Sequence, residues 1–447
     1  MTHPDDDTPA PRPGGSARPG DPARGGPSRP GDSTRPGDFT RPEASTPPDE
    51  FARARWWIYR GTGERLHDTS LAELLPPPPP WRQFTGSPVQ PPPTTDDEEA
   101  VRRLGAHPPL RTLSAFSRRE AEMVNAALLL RRPLLVSGRP GTGKSSLAYR
   151  ISRELRLGRV LRWHITSRTT LQQGLYEYDA VARVQDTAAV HAAAGGGPGA
   201  ALGAAPGTTP GTRPPQPAVQ APRPSQPPPA TWQPQEPHQP QQLQQSQQDL
   251  GDYIQLGPLG TALLPYAAPR VLLVDELDKS DLDFTTDLLD VFEEGSFAIP
   301  ELLRIRRRHP VVTVWTDDPD GEAAVAAGRV TCRAFPVVVM TTNGEREFPP
   351  AFLRRCLVLH VPEPSAKDLM DVLEAHFGGA AAGQWGSALI QRFLDRSRER
   401  GGLSIDQLLN SLYLAASQRT TDRTEDLLGL AEALWHRLDG SGPGMGA

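Results

Sequence analysis

The sequence has too few cysteines for a disulfide-stabilised fold. Its 447 residues include two, Cys332 and Cys356. Two thiols provide neither a disulfide framework nor a cysteine metal cluster, and they are typical of proteins in a reducing compartment. We therefore expect them to be ordinary core or surface thiols, and small disulfide-rich extracellular scaffolds are excluded.

Long apolar runs are also missing. The N-terminal residues 1–7 are acidic and no apolar stretch of a signal peptide follows them. No run approaches the ~18 apolar residues that a membrane-spanning helix needs. The sequence therefore predicts a soluble, cytoplasmic protein without a membrane partner.

An excess of basic residues is absent as well. The chain has 48 Lys and Arg against 53 Asp and Glu, which gives a formal net charge of −5. Proteins that bind nucleic acid place a basic stripe against the phosphates, and no such stripe dominates here. The charge therefore argues against a nucleic-acid partner.

Proline, by contrast, is abundant. The 51 prolines are concentrated in three tracts, 1–50, 76–93 and 198–240. Such tracts do not form helices or central strands, and they bury little surface. We predict a disordered tail over 1–50 and a disordered Pro/Gln-rich insertion over 188–248. The rest of the chain suffices for one core domain and a smaller second domain.

An arm over residues 51–104 differs from the tail because it contains aromatic clusters. One is Trp56-Trp57-Ile58-Tyr59 and the other is Trp81-Arg82-Gln83-Phe84, on either side of a proline run. Rings this dense are rarely left in water. The arm either packs on the protein's own core, which we favour, or docks a partner.

The most informative motif spans 138–145 and reads Gly-Arg-Pro-Gly-Thr-Gly-Lys-Ser. An apolar run, 133–137, predicts a buried strand before it, and the residues from Lys144 onward predict a helix after it. This arrangement is a P-loop, in which glycines let backbone N–H groups point at a polyphosphate. Lys144 is expected to contact the β- and γ-phosphates, and the Ser145 hydroxyl is expected to bind Mg²⁺. The motif therefore predicts binding of a nucleoside triphosphate.

Apolar strands and helices alternate through the rest of the core. Strands are predicted at 159–165, 271–276, 337–343 and 357–361, and a helix at 282–294. Strands that are apolar throughout indicate a parallel sheet covered on both faces, with its ligand site at the carboxyl ends of the strands. From residue 365 onward the pattern is helical only. We predict an α/β core over 105–362 and an all-α lid over 363–440.

Three groups near strand ends are candidates for catalysis. Asp275 is expected to hold Mg²⁺ through its water shell, and Glu276 to orient and deprotonate the attacking water. Asn343 either senses the γ-phosphate and that water or caps the following turn. Arg354 and Arg355 are candidates for an arginine finger that reaches a neighbouring subunit, or they form a structural ion pair. The complete predicted nucleotide site comprises Gly138, Arg139, Pro140, Gly141, Thr142, Gly143, Lys144, Ser145, Ser146 and Asp275, with Ser145 and Asp275 as the magnesium residues.

These motifs, in this order and spacing, resemble the core of AAA+ ATPases. Within that superfamily the chain is most similar to the MoxR-type branch, through three segments: 254–259 before the strand that ends at Glu276, 288–295, and 339–345. The resemblance implies a P-loop AAA+ fold, with ATP and Mg²⁺ bound between the subunits of a hexameric ring. It further implies chaperone-like remodelling of a protein client, often with a von Willebrand A-type partner.

One departure from that family lies in the lid. The sensor 2 arginine has no clear counterpart, since Gly402-Leu403-Ser404-Ile405-Asp406-Gln407 occupies the region where it is expected. Two alternatives to the remodeller therefore stay open. One is a nucleotide-switched scaffold of a signalling or defence complex, and the other is a nucleic-acid-directed motor. The insertion is expected to tether or gate a client.

Overall fold

The structure, a computed structural model, describes residues 56–67, 69–93, 97–106, 115–195, 250–400, 402–417 and 435. All of them belong to one compact unit. The predicted tail, residues 196–248 of the predicted insertion, and a lid helix predicted over 425–438 lie outside the described residues, apart from Trp435.

Strands and helices alternate along the described chain. In chain order the strands are β1 (Leu134–Ser137), β2 (Leu161–His164), β3 (Tyr176–Tyr178), β4 (Ile254–Leu256), β5 (Val271–Asp275), β6 (Ser296–Ala298), β7 (Val311–Trp315), β8 (Glu322–Ala326), β9 (Arg329–Thr331), β10 (Val337–Thr342) and β11 (Leu357–His360). The α-helices are α1 (Leu71–Leu74), α2 (Asp97–Leu104), α3 (Ala115–Leu130), α4 (Ser146–Leu155), α5 (Leu171–Leu175), α6 (Ala180–Gly195), α7 (Pro258–Ala262), α8 (Leu282–Glu294), α9 (Pro300–Ile305), α10 (Pro350–Leu353), α11 (Ala366–Phe377), α12 (Gly379–Arg400) and α13 (Ile405–Ser417).

The centre of the fold is a parallel five-stranded sheet in the order β11-β1-β10-β5-β2. Successive residues of a strand point to opposite faces, and both faces are buried. Leu135, Leu272 and Val274 belong to one hydrophobic cluster, whereas Leu134 and Leu273 belong to another. Helix α8 covers the first face, and α3 and α4 cover the second. The predicted α/β fold class is therefore confirmed.

A second sheet in the order β3-β4-β7-β8 lies outside the central one, together with a β6–β9 pair. Here the structure corrects two predictions. The single helix predicted over 171–182 is two helices separated by β3, because Tyr176–Tyr178 pairs with Ile254–Leu256. Residues 188–195, placed in the disordered insertion, continue helix α6, in keeping with the high helix propensity of their alanines.

The aromatic arm packs on the core, as the favoured interpretation requires. Tyr59 is fully buried, and its hydroxyl donates a 2.8 Å hydrogen bond to Glu120. The Glu154 carboxylate accepts hydrogen bonds from the backbone N–H groups of Arg60, Gly61 and Gly63. The arm is thus continuous with the core in its hydrogen bonding, although Trp81 is 74% exposed.

The C-terminal helices form a hydrophobic cluster of their own. Leu369 and Leu373 of α11 pack with Phe393 of α12, Leu412 of α13 and Trp435. This is the predicted all-α lid, as far as the structure describes it. Within the described residues, no helix combines the length and the apolar character needed to cross a membrane.

Both cysteines are buried inside the core without a disulfide bond. Burial raises the pKa of each thiol to about 12. A thiol that stays protonated is a poor nucleophile and a poor metal ligand. Cys332 and Cys356 therefore have the core role that the sequence predicts.

Candidate nucleotide-binding site

The glycine-rich loop joins β1 to α4, which is the position of a P-loop. Gly141 and Gly143 have φ angles of 74° and 80°, a backbone conformation that costs glycine little and other residues more. The helix begins at Ser146, two residues later than the predicted start, and Ser145 is its N-cap. The N–H of Ser146 donates to the Gly143 carbonyl. The loop and the helix N-terminus thus form one continuous concave turn.

Lys144 is held inside this loop. Its ammonium group donates to the carbonyl oxygens of Gly138 and Arg139, at 2.9 and 2.8 Å, and to Asn343 Oδ1 at 2.7 Å. Burial lowers the pKa of Lys144, while the carboxylates of Asp278, Asp275 and Glu276 oppose that shift. The predicted phosphate lysine and the predicted sensor asparagine are therefore in direct contact.

Asp275 connects the P-loop with two strands. Its Oδ1 accepts 2.7 Å hydrogen bonds from the hydroxyls of Ser145 and Thr341, and its Oδ2 lies 3.2 Å from the guanidinium of Arg162. Burial alone would raise the pKa of the Asp275 carboxyl, but these hydrogen bonds and the arginine charge hold it below its ordinary value. The carboxylate is therefore ionised at neutral pH. Ser145 and Asp275, the two predicted magnesium residues, are adjacent.

Glu276, the predicted base, follows directly in a left-handed conformation with a φ of 63°. A non-glycine residue is rarely found there, and such residues are concentrated at functional sites. Its N–H is held by Thr341 Oγ1 at 2.9 Å. Its carboxylate accepts a 2.6 Å hydrogen bond from Lys279 and lies 3.7 Å from His164 Nε2. The base is at the site, but Lys279 occupies it.

Asp278 is a site residue that the sequence reasoning missed. It is buried, and its Oδ2 accepts hydrogen bonds from the backbone N–H groups of Asn343, at 2.9 Å, and Glu345, at 3.2 Å. Its Oδ1 is buried and has no hydrogen-bond partner among the described residues. Asp278 therefore fixes the loop that carries Asn343. Its place three residues after Asp275, in a strand-end acidic segment, is the signal that could have identified it.

Arg354 and Arg355 lie away from this cluster, just before β11 and thus at the opposite edge of the sheet. Arg355 forms a 2.6 Å ion pair with Glu293, as the structural interpretation of this pair of arginines requires. The Arg354 side chain is exposed and has no partner among the described residues, while its carbonyl accepts from Arg132. Neither arginine contacts the site of its own chain.

The remaining loop residues contact one another and the lid. The Thr142 hydroxyl donates to the Arg139 carbonyl, and the Arg139 side chain pairs with Glu363. In the lid, the N–H of Ile405 donates to the Gly141 carbonyl at 3.3 Å. The described contact between lid and P-loop is thus made by a backbone group and an apolar side chain. This agrees with the absence of a sensor 2 arginine from the sequence around 402–407.

The residues present fit a magnesium–triphosphate group. An ionised carboxylate beside a hydroxyl provides the hard oxygen donors that Mg²⁺ prefers. Glycines in the loop and the N-terminus of α4 direct backbone N–H groups to one place, where anions bind favourably. The buried, unpartnered Oδ1 of Asp278 lies in the same cluster and is available to a further donor.

Comparison with known proteins adds limited information. No family model and no curated protein matches the chain. Among solved structures, the Thermotoga maritima RuvB Holliday junction branch migration motor matches with a TM-score of 0.32 and 13% identity, over 71% of this chain and 68% of that chain. Two mutants of the same protein match with TM-scores of 0.32 and 0.30, identities of 13% and 14%, and 71% coverage of this chain; 68% and 69% of those chains are covered. At these values no property of RuvB is transferred to this protein. The parallel sheet and the position of the P-loop within it nevertheless match the AAA+ fold that the sequence resemblance implied.

Proposed function

We propose that this protein binds ATP with Mg²⁺ at the P-loop and hydrolyses it, as an AAA+ ATPase of the MoxR type. The observation that supports this best is the contact of Lys144 with Asn343 beside the contact of Ser145 with Asp275. Four groups from three separated parts of the sequence meet at the carboxyl edge of one parallel sheet. Ligands of such sheets bind at that edge.

Each residue has a defined task in this proposal. Lys144 and the loop N–H groups bind the phosphates, and Ser145 and Asp275 hold Mg²⁺, which would offset charge on the transferred phosphoryl group. Glu276 takes the proton of the attacking water once Lys279 releases its carboxylate. Asn343 orients that water, and Asp278 keeps Asn343 in place.

Assembly into a ring would complete the site. Arg354 is exposed, whereas Arg355 is paired with Glu293, so Arg354 is the better candidate for the finger that reaches a neighbouring subunit's nucleotide. A ring of this kind, proposed as a hexamer, would remodel a protein client, with a von Willebrand A-type protein as a candidate partner. The insertion would tether or gate the client.

A second candidate, the nucleotide-switched scaffold, is favoured by one observation. The 2.6 Å contact between Lys279 and Glu276 withholds the base, and the described lid places no arginine on the P-loop. A protein in that state would bind ATP and assemble with little turnover. The two candidates therefore differ in the rate of hydrolysis rather than in nucleotide binding.

Steady-state ATPase rate measured against protein concentration, with particle size from light scattering, separates them. For the ATPase, the rate per subunit rises as oligomers form and vanishes in Glu276→Gln, which still binds ATP. Lys144→Ala should weaken binding as well, because it removes the phosphate-binding ammonium group. Tight ATP binding with a negligible rate at every concentration would favour the scaffold. Normal turnover by Glu276→Gln would refute the assignment of the base.

A further inference from the structure

A pocket of about 330 Å³ opens at the edge of the sheet opposite the P-loop. Four arginines, Arg82, Arg131, Arg132 and Arg333, contribute to its wall, and we call it the arginine pocket. Arg131 and Arg132 precede β1, and Arg333 precedes β10, so the pocket lies at the N-terminal ends of neighbouring central strands. It is therefore separate from the nucleotide site.

The charge in this pocket is not neutralised by the described residues. No Asp or Glu is among the lining residues, and none of the four arginines forms an ion pair with a described carboxylate. The nearby Glu293 is engaged by Arg355 at 2.6 Å. Positive charges gathered in a concave, low-dielectric wall concentrate an attractive potential for anions.

Three of the guanidinium groups are held in place by carbonyl oxygens. Arg82 donates to the Phe292 carbonyl at 2.7 Å and lies over the Phe335 ring. Arg131 donates to the carbonyls of Pro76, at 3.0 Å, and Leu128. Arg132 donates to the Arg354 carbonyl at 3.3 Å. Such contacts position the groups and leave their net charge in full.

The fourth, Arg333, is exposed and makes no contact with a described side chain or backbone group. Burial lowers the pKa values of Arg82 and Arg131, and Arg132 adds to the shift at Arg82. The unliganded cluster is thus disfavoured by its own repulsion, which a bound anion would relieve.

We propose that the arginine pocket binds a small phosphate-bearing anion. Guanidinium forks match phosphate oxygens in charge and geometry, and several of them converge here. The volume lies at the lower end of the range for small-molecule sites, which suits a molecule of one or two phosphates. A rigid backing for the ligand comes from the proline run 76–78 and Phe335.

Calorimetric titration of the full-length Lys144→Ala protein with inorganic pyrophosphate, at fixed ionic strength and without Mg²⁺, tests this. The Lys144→Ala change weakens the P-loop, so that the remaining saturable binding reports on the arginine pocket. We expect one site per chain. Replacing Arg132 and Arg333 by Gln together should weaken pyrophosphate affinity at least tenfold, because two charge-assisted contacts are lost.

The matched control removes two arginines from an exposed segment after α9, by Arg306→Gln with Arg307→Gln. It should leave affinity within about twofold. Arg333→Gln alone is a second variant that cannot unfold the core, since this side chain is exposed, and it should also weaken binding. An equal effect of the control, or no saturable binding to the Lys144→Ala protein, would overturn the proposal.

A parallel titration with adenosine monophosphate distinguishes two sources of the phosphate. Tighter binding of the nucleotide than of pyrophosphate would assign the pocket to a phosphorylated metabolite. Tighter binding of pyrophosphate would assign it to an inorganic anion. In either case the pocket variants must reduce the affinity for the ligand that binds.

Discussion

Replacing Asp278 by Ala tests how the site is held together. The change removes two hydrogen bonds from backbone N–H groups to a carboxylate, at 2.9 and 3.2 Å. Bonds of this kind contribute roughly 1.5–3 kcal/mol each. The variant also removes the buried, unpartnered Oδ1, and relieving such an atom returns roughly 1–3 kcal/mol. The net loss in free energy of unfolding is therefore about 2 kcal/mol.

The loss in activity should exceed what this change in stability explains. Without Asp278, the loop that carries Asn343 is free to move away from Lys144, which it contacts at 2.7 Å. A displacement of about 1 Å in a catalytic group costs up to a hundredfold in rate. We expect kcat to fall ~10- to 100-fold while the KM for ATP changes little. Steady-state ATPase assays and thermal unfolding measure the two effects separately.

Asp278→Asn is the conservative partner variant, because its amide oxygen can still accept both backbone N–H groups. It should recover most of the stability and most of the rate. Asp290→Ala is the matched control, since it removes an exposed carboxylate from α8. Wild-type turnover and unfolding temperature in Asp278→Ala would refute the positioning role. An equal loss in Asp278→Asn and Asp278→Ala would show that the charge, rather than the backbone contact, matters.

Three further predictions address the base, the neighbouring subunit and the arm. Lys279→Ala frees the Glu276 carboxylate, and it should raise basal turnover severalfold in an ATPase assay; a lower rate would make Lys279 part of the catalytic machinery instead. Arg354→Ala should abolish turnover and retain ATP binding, and mixing it with inactive Lys144→Ala subunits should restore part of the rate; Arg355→Ala, the control, should keep most activity. Tyr59→Phe removes a buried 2.8 Å hydrogen bond to Glu120 and should lower the free energy of unfolding by roughly 1–2 kcal/mol; unchanged thermal unfolding would contradict the integration of the arm into the core.

Local signals in the sequence were sufficient for the central sheet and its ligand edge. The apolar runs that form β5 and β10 have no exposed residue, so their burial on both faces could be inferred from composition alone. The amphipathic pattern of α8 gave both of its ends, at Leu282 and Glu294. Because polar residues follow these strands directly, Lys144, Asp275 and Asn343 could be placed at one edge before any contact was known.

Features that depend on distant partners were not predictable in this way. β3 is three residues long and exists because β4, beyond the insertion, pairs with it. Thr341 lies inside an apolar strand, and only the neighbouring strand shows why a hydroxyl is present there, between Asp275 and the N–H of Glu276. The arginine pocket likewise combines residues from three separated segments, none of which has a basic run of its own.

The geometry around Thr341 indicates how the state of one strand end reaches another. Its single hydroxyl donates to Asp275 and accepts from the N–H of Glu276, so the magnesium residue and the base share one anchor. Asp278, in the following turn, anchors the backbone of Asn343 on β10's side, and Asn343 in turn contacts Lys144. Any ligand that draws Lys144 toward a phosphate must therefore release Asn343 or move it along, and Asp278 restricts that motion to the side chain. The site is thus built so that occupation of the P-loop frees the Asn343 amide for water while its backbone stays fixed.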